Sequence, residues 1–133
     1  MRLVPFHAVD GLPFSASACD VAARHGAPVR RSCNAAGLDE WDYGDVVFRF
    51  QVSTGRLEEV TRRAPVLYLG PLDVPFAALR SVVKAHDAAA FERAGFLVSP
   101  RFGLAFVPSA PDWVTALAAH CIDTWRQMGG PAA

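Results

Sequence analysis

Three strand-like segments joined only by turn signals constrain this chain more than any other feature. Trp41 to Val52 is rich in aromatic and branched residues, Arg56 to Arg63 carries Leu57, Val60 and Thr61, and Val66-Leu67-Tyr68-Leu69 is wholly apolar. Ser53-Thr54-Gly55, Ala64-Pro65 and Gly70-Pro71 punctuate them. Parallel neighbours need a crossover of about a dozen residues or more, and none fits in these gaps. The spacing predicts an antiparallel meander.

Helical signals flank the meander. Ser15 or Ser17 can cap a helix running to about His25, where Gly26 and Pro28 stop it. Val74-Pro75-Phe76 opens a second helix, with Phe76, Leu79, Val82 and Val83 on one face, fading near His86-Asp87. Phe91 to Ala94 reads as another helical turn, and Gly95 to Ser99 with Phe102 to Val107 reads as a hairpin around Pro100-Arg101. Ser109, Pro111 and Asp112 start a last helix in which Trp113, Leu117, Cys121 and Trp125 recur, ended by Gly129-Gly130-Pro131. Arg2 to Val9 reads as a short strand that Pro5 confines to an edge, and Val29 to Leu38 as a loop. The expected class is α+β, an antiparallel meander sheet with about three helices.

A layout recurs within this single domain of residues 1–133. Pro13-Phe14 and Pro75-Phe76 stand 62 residues apart, and Tyr43-Gly44 and Phe102-Gly103 stand 59 apart. The candidate units are 11–70 and 73–128. An old duplication and two ordinary helix-to-strand units would both look like this.

Composition narrows the partners. Hydrophobic residues make up 52% and charged residues 20%, as in foldable globular chains. Thirteen basic and thirteen acidic residues balance to zero, which argues against nucleic-acid binding by general electrostatics. Lys84 is the sole lysine beside twelve arginines, a bias expected of a GC-rich bacterium. No apolar run approaches the ~20 residues that span a bilayer. The start, Met1 to His7, is broken by Pro5 and does not read as a secretory signal. A cytoplasmic protein with reduced Cys19, Cys33 and Cys121 is expected.

Few residues form a chemical signature. Cys19 and His25 lie six apart on the first helix and so point to different faces. His120 and Cys121 are adjacent, which on a helix separates them by about 100° and keeps them off one metal. No Cys-x-x-Cys occurs, and no glycine-rich turn joins a strand to a helix. The expectation is a non-enzyme without catalytic residues, metal or cofactor.

One cluster stands out. Asp39, Glu40, Trp41, Asp42, Tyr43, Gly44 and Asp45 pack four acids and two large aromatics into seven residues. Acids steer a basic partner, and Trp and Tyr add contact area with few rotors to freeze. The partner-binding candidates are therefore Asp39, Glu40, Trp41, Asp42, Tyr43 and Asp45. The plainer alternative is a strand entering the sheet, Trp41 and Tyr43 facing the core and Glu40 and Asp42 facing water. Either way the acids are expected on the surface, and reversing Asp39, Glu40 and Asp42 should spare the fold.

Size, neutral charge, the helix-plus-meander layout and the Asp39 to Asp45 stretch resemble the small cytoplasmic immunity proteins paired with antibacterial toxins of type VI secretion or contact-dependent systems. The doubled layout is similar to inhibitors built from tandem helix-and-sheet units, such as the β-lactamase inhibitor protein. The resemblance implies a chain that binds one cognate toxin and blocks its functional surface, without nucleic acid or membrane. A small-molecule-binding or regulatory module is the alternative reading, and an enzyme using Cys19 or Cys33 with a histidine is a third.

Overall fold

The computed structural model describes residues 1–34 and 37–127. The fold is α+β, with sheets that are antiparallel apart from one strand pair. Three short strands come first: β1 (Arg2–Val4), β2 (Ala8–Val9) and β3 (Leu12–Pro13). Helix α1 (Ala18–His25) follows, capped by Ser17, whose Oγ accepts from the Asp20 amide while Asp20 accepts from the Ser17 amide. A meander comes next, made of β4 (Arg30–Cys33), β5 (Leu38–Asp42), β6 (Val46–Gln51) and β7 (Leu57–Arg63). The chain then forms the hairpin β8 (Val66–Leu69) and β9 (Leu72–Pro75) and helix α2 (Phe76–His86). A second meander, β10 (Phe91–Arg93), β11 (Phe96–Ser99), β12 (Leu104–Phe106) and β13 (Trp113–Leu117), leads into α3 (Cys121–Gln127).

The last strands of the two meanders pair with each other. β13 runs antiparallel to β7, from Trp113 opposite Arg63 to Leu117 opposite Glu59, giving an eight-stranded sheet of order β10-β11-β12-β13-β7-β6-β5-β4. A five-stranded sheet, β3-β2-β1-β8-β9, contains the parallel pair β1–β8. The element order thus runs twice through a hairpin, a helix and a four-stranded meander. Gly44 and Gly103 occupy corresponding turns, each at positive φ (91° and 63°). At Gly103 a Cβ would stand 2.9 Å from the Phe6 ring, so side chain and backbone both require glycine there.

Side-chain alternation assigns each face of the large sheet. Trp41, Phe48, Phe50, Val60, Leu104, Phe106, Val114 and Ala116 enter one core with Leu3, Leu67 and Val74 of the small sheet, Val21 of α1, and Leu79 and Val83 of α2. The opposite face contributes Val98, Ala105 and Leu117 to a smaller cluster with Cys121, Ile122 and Trp125 of α3. Among the described residues no helix is long and apolar enough to cross a membrane.

Several expectations need correction. Trp113–Leu117 is a strand, not the start of the last helix. It lies between β12 and β7, buried on both faces, and such a strand shows no alternation by which to tell it from a helix. Phe91–Arg93 is likewise a strand rather than a helical turn. Trp41 to Val52 divides into parts of β5 and β6 at the Tyr43-Gly44-Asp45 turn. Arg30–Cys33 is an end strand where a loop was expected, its polar sequence suiting a strand exposed on both faces. β1 is flanked by β2 and β8, so Pro5 ends it instead of confining it to an edge. Met128 to Ala133, with the expected Gly129-Gly130-Pro131 stop, and part of the expected 29–38 loop (Ala35 and Ala36) lie outside the described residues.

Asp87 locks α2 to the second meander. It caps the helix, and its buried carboxylate accepts from Ser99 Oγ (2.6 Å), the Arg101 amide (3.1 Å) and the Ala89 amide (2.9 Å). Burial opposes ionisation, but these hydrogen bonds outweigh it and hold the Asp87 pKa below its ordinary value. A depressed folded-state pKa contributes stability above the unfolded value, lost as pH falls through the folded one. Asp87→Ala should lower the unfolding free energy by about 1–3 kcal/mol at neutral pH. In denaturant titrations at stepped pH, the gap between variant and parent should close below about pH 4.

Candidate functional site

The acidic-aromatic stretch folds mostly into the sheet's own pairing. Arg30 opposes Asp42 and bonds it at 3.1 Å, and the Arg31 guanidinium meets both Asp39 oxygens at 3.1 and 2.8 Å. Glu40 accepts from Asn34 Nδ2 at 3.0 Å and lies 3.6 Å from Arg49 Nε. Hydrogen bonding from Arg31 holds the Asp39 carboxyl below its ordinary pKa. For Asp42 the Gly44 amide does this first and Arg30 second. Trp41 is buried under Arg31, whose guanidinium sits 4.9 Å from the ring centre. The Tyr43 hydroxyl donates to the Gly26 carbonyl, and its ring packs on His25 and Phe48. Asp45 is exposed in the turn. The alternating strand describes this segment well, but Asp39, Glu40 and Asp42 are neutralised by arginines of β4 and β6 rather than free.

The face of the large sheet away from α1 and α2 gathers residues that sequence spacing had not joined. Across β5, β6 and β7 runs a row of Glu40, Arg49 and Glu59, the last pair 3.5 Å apart. Arg49 also donates to Thr61 Oγ1 at 2.7 Å, and Thr61 shares a 2.7 Å hydrogen bond with Thr115. Trp125 Nε1 of α3 donates to Glu59 at 3.1 Å, and Arg63 stacks on Trp113 with 4.8 Å to the ring centre. Burial pushes the Glu59 pKa up, against the pull of Arg49 and Trp125. All of these except Glu40 and Arg63 line a cavity of about 360 Å³ with Phe96, Val107 and Ala110. Period-two alternation could have placed Arg49, Glu59 and Thr61 on one face. The Trp113 contribution was hidden by the helical reading of that strand.

A third cluster corrects the expectation for His120 and Cys121. Cys121 opens α3, but His120 lies in the turn before it, so helical angles do not apply to the pair. Cys121 Sγ stands 3.2 Å from Glu58 Oε2, and His120 Nε2 contacts the same oxygen. The three side chains bring their ligand atoms within 4.8 Å of one another. Burial, then the Glu58 hydrogen bond, pushes the Cys121 thiol pKa well up, which disfavours a free thiolate nucleophile. Cys19 and Cys33 are exposed and unbridged, and the His25 ring packs on Tyr43 and Phe48.

No protein-family model matches the chain, and no curated protein or solved structure matches it either.

The cross-strand pairs carry a structural consequence. Replacing both Asp39 and Asp42 by arginine sets a like charge directly opposite Arg30 and another diagonal to Arg31, whose own opposite residue is Trp41, and like charges opposite each other destabilise a strand pair. Amides of β4 should then exchange faster in hydrogen-exchange mass spectrometry, while those of the β7–β13 seam keep their protection. This revises the expectation that reversing these acids spares the fold.

Proposed function

We propose that this chain is an inhibitor of the immunity type, which binds a cognate bacterial toxin with the open face of its eight-stranded sheet. The observation that carries this reading is the unequal cover: α1 and α2 pack on one face, while the other has only the short α3 over part of it and leaves the Glu40–Arg49–Glu59 row beside Trp113 and the Trp125 of α3. The cavity between Trp113 and Trp125 offers an anchoring pocket with aromatic walls and a charged floor. Centrally placed Trp and Arg are the residue types that dominate protein interfaces. The Asp39 to Asp45 segment, occupied in its own pairing, then contributes mainly at the rim through Asp45, beside the exposed Arg30 of β4.

The same cavity favours a second reading. At about 360 Å³ it is large enough for a small ligand, and its Arg49, Glu59 and paired threonines are convergent polar groups. A small-molecule-binding module is therefore the alternative.

Capture of the tagged chain's partner from its source bacterium separates the two. The inhibitor reading expects one stoichiometric protein that is toxic when expressed alone and silenced by co-expression of this chain. Trp113→Ala should weaken that complex by at least about tenfold, as loss of an interface anchor does, with the circular-dichroism spectrum unchanged. A metabolite that raises the melting temperature of the parent but not of Trp113→Ala, with no protein captured, would replace it with the alternative.

A further inference from the structure

A buried carboxylate on a strand needs a cause, and for Glu58 the cause is a bulge. Between β6 and β7 the register steps from Arg49 opposite Glu59 to Phe50 opposite Leu57, leaving Glu58 without a partner. A bulge of this kind re-aims the extra side chain. Glu58 reaches the turn before α3, and its side chain is only 7% exposed. The turn is fastened to the same residue, since the Ala118 amide donates to the Glu58 carbonyl at 2.9 Å. Cys121 Sγ lies 3.5 Å from that carbonyl and 3.2 Å from the carboxylate, and His120 Nε2 contacts the carboxylate from the half-exposed side. The nearest arginine is Arg56, with Nη2 at 3.8 Å on a mostly exposed side chain.

We propose that Glu58, His120 and Cys121 form a binding site for a divalent cation of the zinc class, leaving one coordination position to water or a small ligand. The inference stands apart from the proposed interface. It rests on three convergent ligand types brought together by two parts of the fold, Glu58 at the bulge of β7 and His120 and Cys121 at the start of α3. Thiolate, imidazole and carboxylate are the zinc ligand set, whereas magnesium and calcium take oxygen alone. Ligands on a tetrahedral zinc ion lie roughly 3.5 Å apart at ordinary bond lengths, and this trio lies within 4.8 Å. The charges also balance: a dication meets one carboxylate, one thiolate and a neutral imidazole, and the thiol proton leaves to solvent on binding. Three protein ligands with an open position distinguish this arrangement from closed structural zinc sites. His120 also borders a cavity of about 500 Å³ shared with Phe6, Phe14 and Arg56, where a fourth ligand can enter.

The test is titration of the reduced, metal-free protein with cobalt(II), followed by displacement with zinc. One equivalent should bind, with a thiolate-to-cobalt charge-transfer band, and zinc should raise the melting temperature. Cys121→Ser should abolish the band. His120→Ala, which changes a half-exposed side chain and so should not disturb folding, should weaken binding at least about tenfold. Removing Cys19 and Cys33 together should change neither. The proposal fails if the parent shows no thiolate band. It also fails if the band survives both Cys121→Ser and His120→Ala but vanishes with Cys19 and Cys33.

Discussion

The pairing of β7 with β13 is the contact on which the rest of the molecule depends. It joins two four-stranded meanders into one sheet and removes two open strand edges, which would otherwise need other cover. Thr61 and Thr115, bonded across this seam, are 54 residues apart, so the contact closes a long loop and cannot form from local structure alone. The edges that remain at the ends are blunted differently. β4 is polar and exposed, whereas on β10 Arg93 Nε donates to the Arg126 carbonyl of α3.

Once the seam is made, the two faces of the sheet have unequal fates. One face receives α1, α2 and the five-stranded sheet, and its strands carry large apolar side chains. The other receives only the seven residues of α3 among the described helices, so its strands carry charged and hydroxyl groups that bond one another sideways. Arg49 satisfies Glu40, Glu59 and Thr61 together, fixing its guanidinium as the floor of the cavity. Such a network holds the polar side chains of this face in fixed places.

Much of this was legible in the sequence where local signals agreed. Ser17, Gly26 and Pro75 marked helix ends, and the aromatic-glycine pairs marked a recurring layout whose glycines occupy matching turns in both meanders, although the spacing runs one strand straight through Tyr43-Gly44. Legibility failed where an element owed its conformation to distant neighbours. Trp113 to Leu117 has helical spacing, yet it is the strand the seam requires, and β4 is polar because it lies at an end. The acids of Asp39 to Asp45 were visible, but not that Arg30 would sit opposite Asp42 and Arg31 diagonal to Asp39. Glu58 could not be singled out because a bulge is invisible to period-two alternation.

The two adjacent glutamates on β7 show what the fold supplies for itself. Burying a carboxylate costs several kcal/mol unless charge and hydrogen bonds compensate. Glu59 receives Arg49 on one side and Trp125 on the other, both from well-packed elements, so its site is complete within the sheet. Glu58, displaced by the bulge, meets a thiol, an imidazole and one largely exposed arginine. Together the pair fixes both ends of α3, Cys121 through Glu58 and Trp125 through Glu59. A helix of seven residues has little stability of its own. Its position over the sheet, and hence one wall of the cavity on the open face, is set by these two carboxylates together with the apolar packing of Ile122 and Trp125. A cation at Glu58 would brace the end of α3 that the fold holds less firmly.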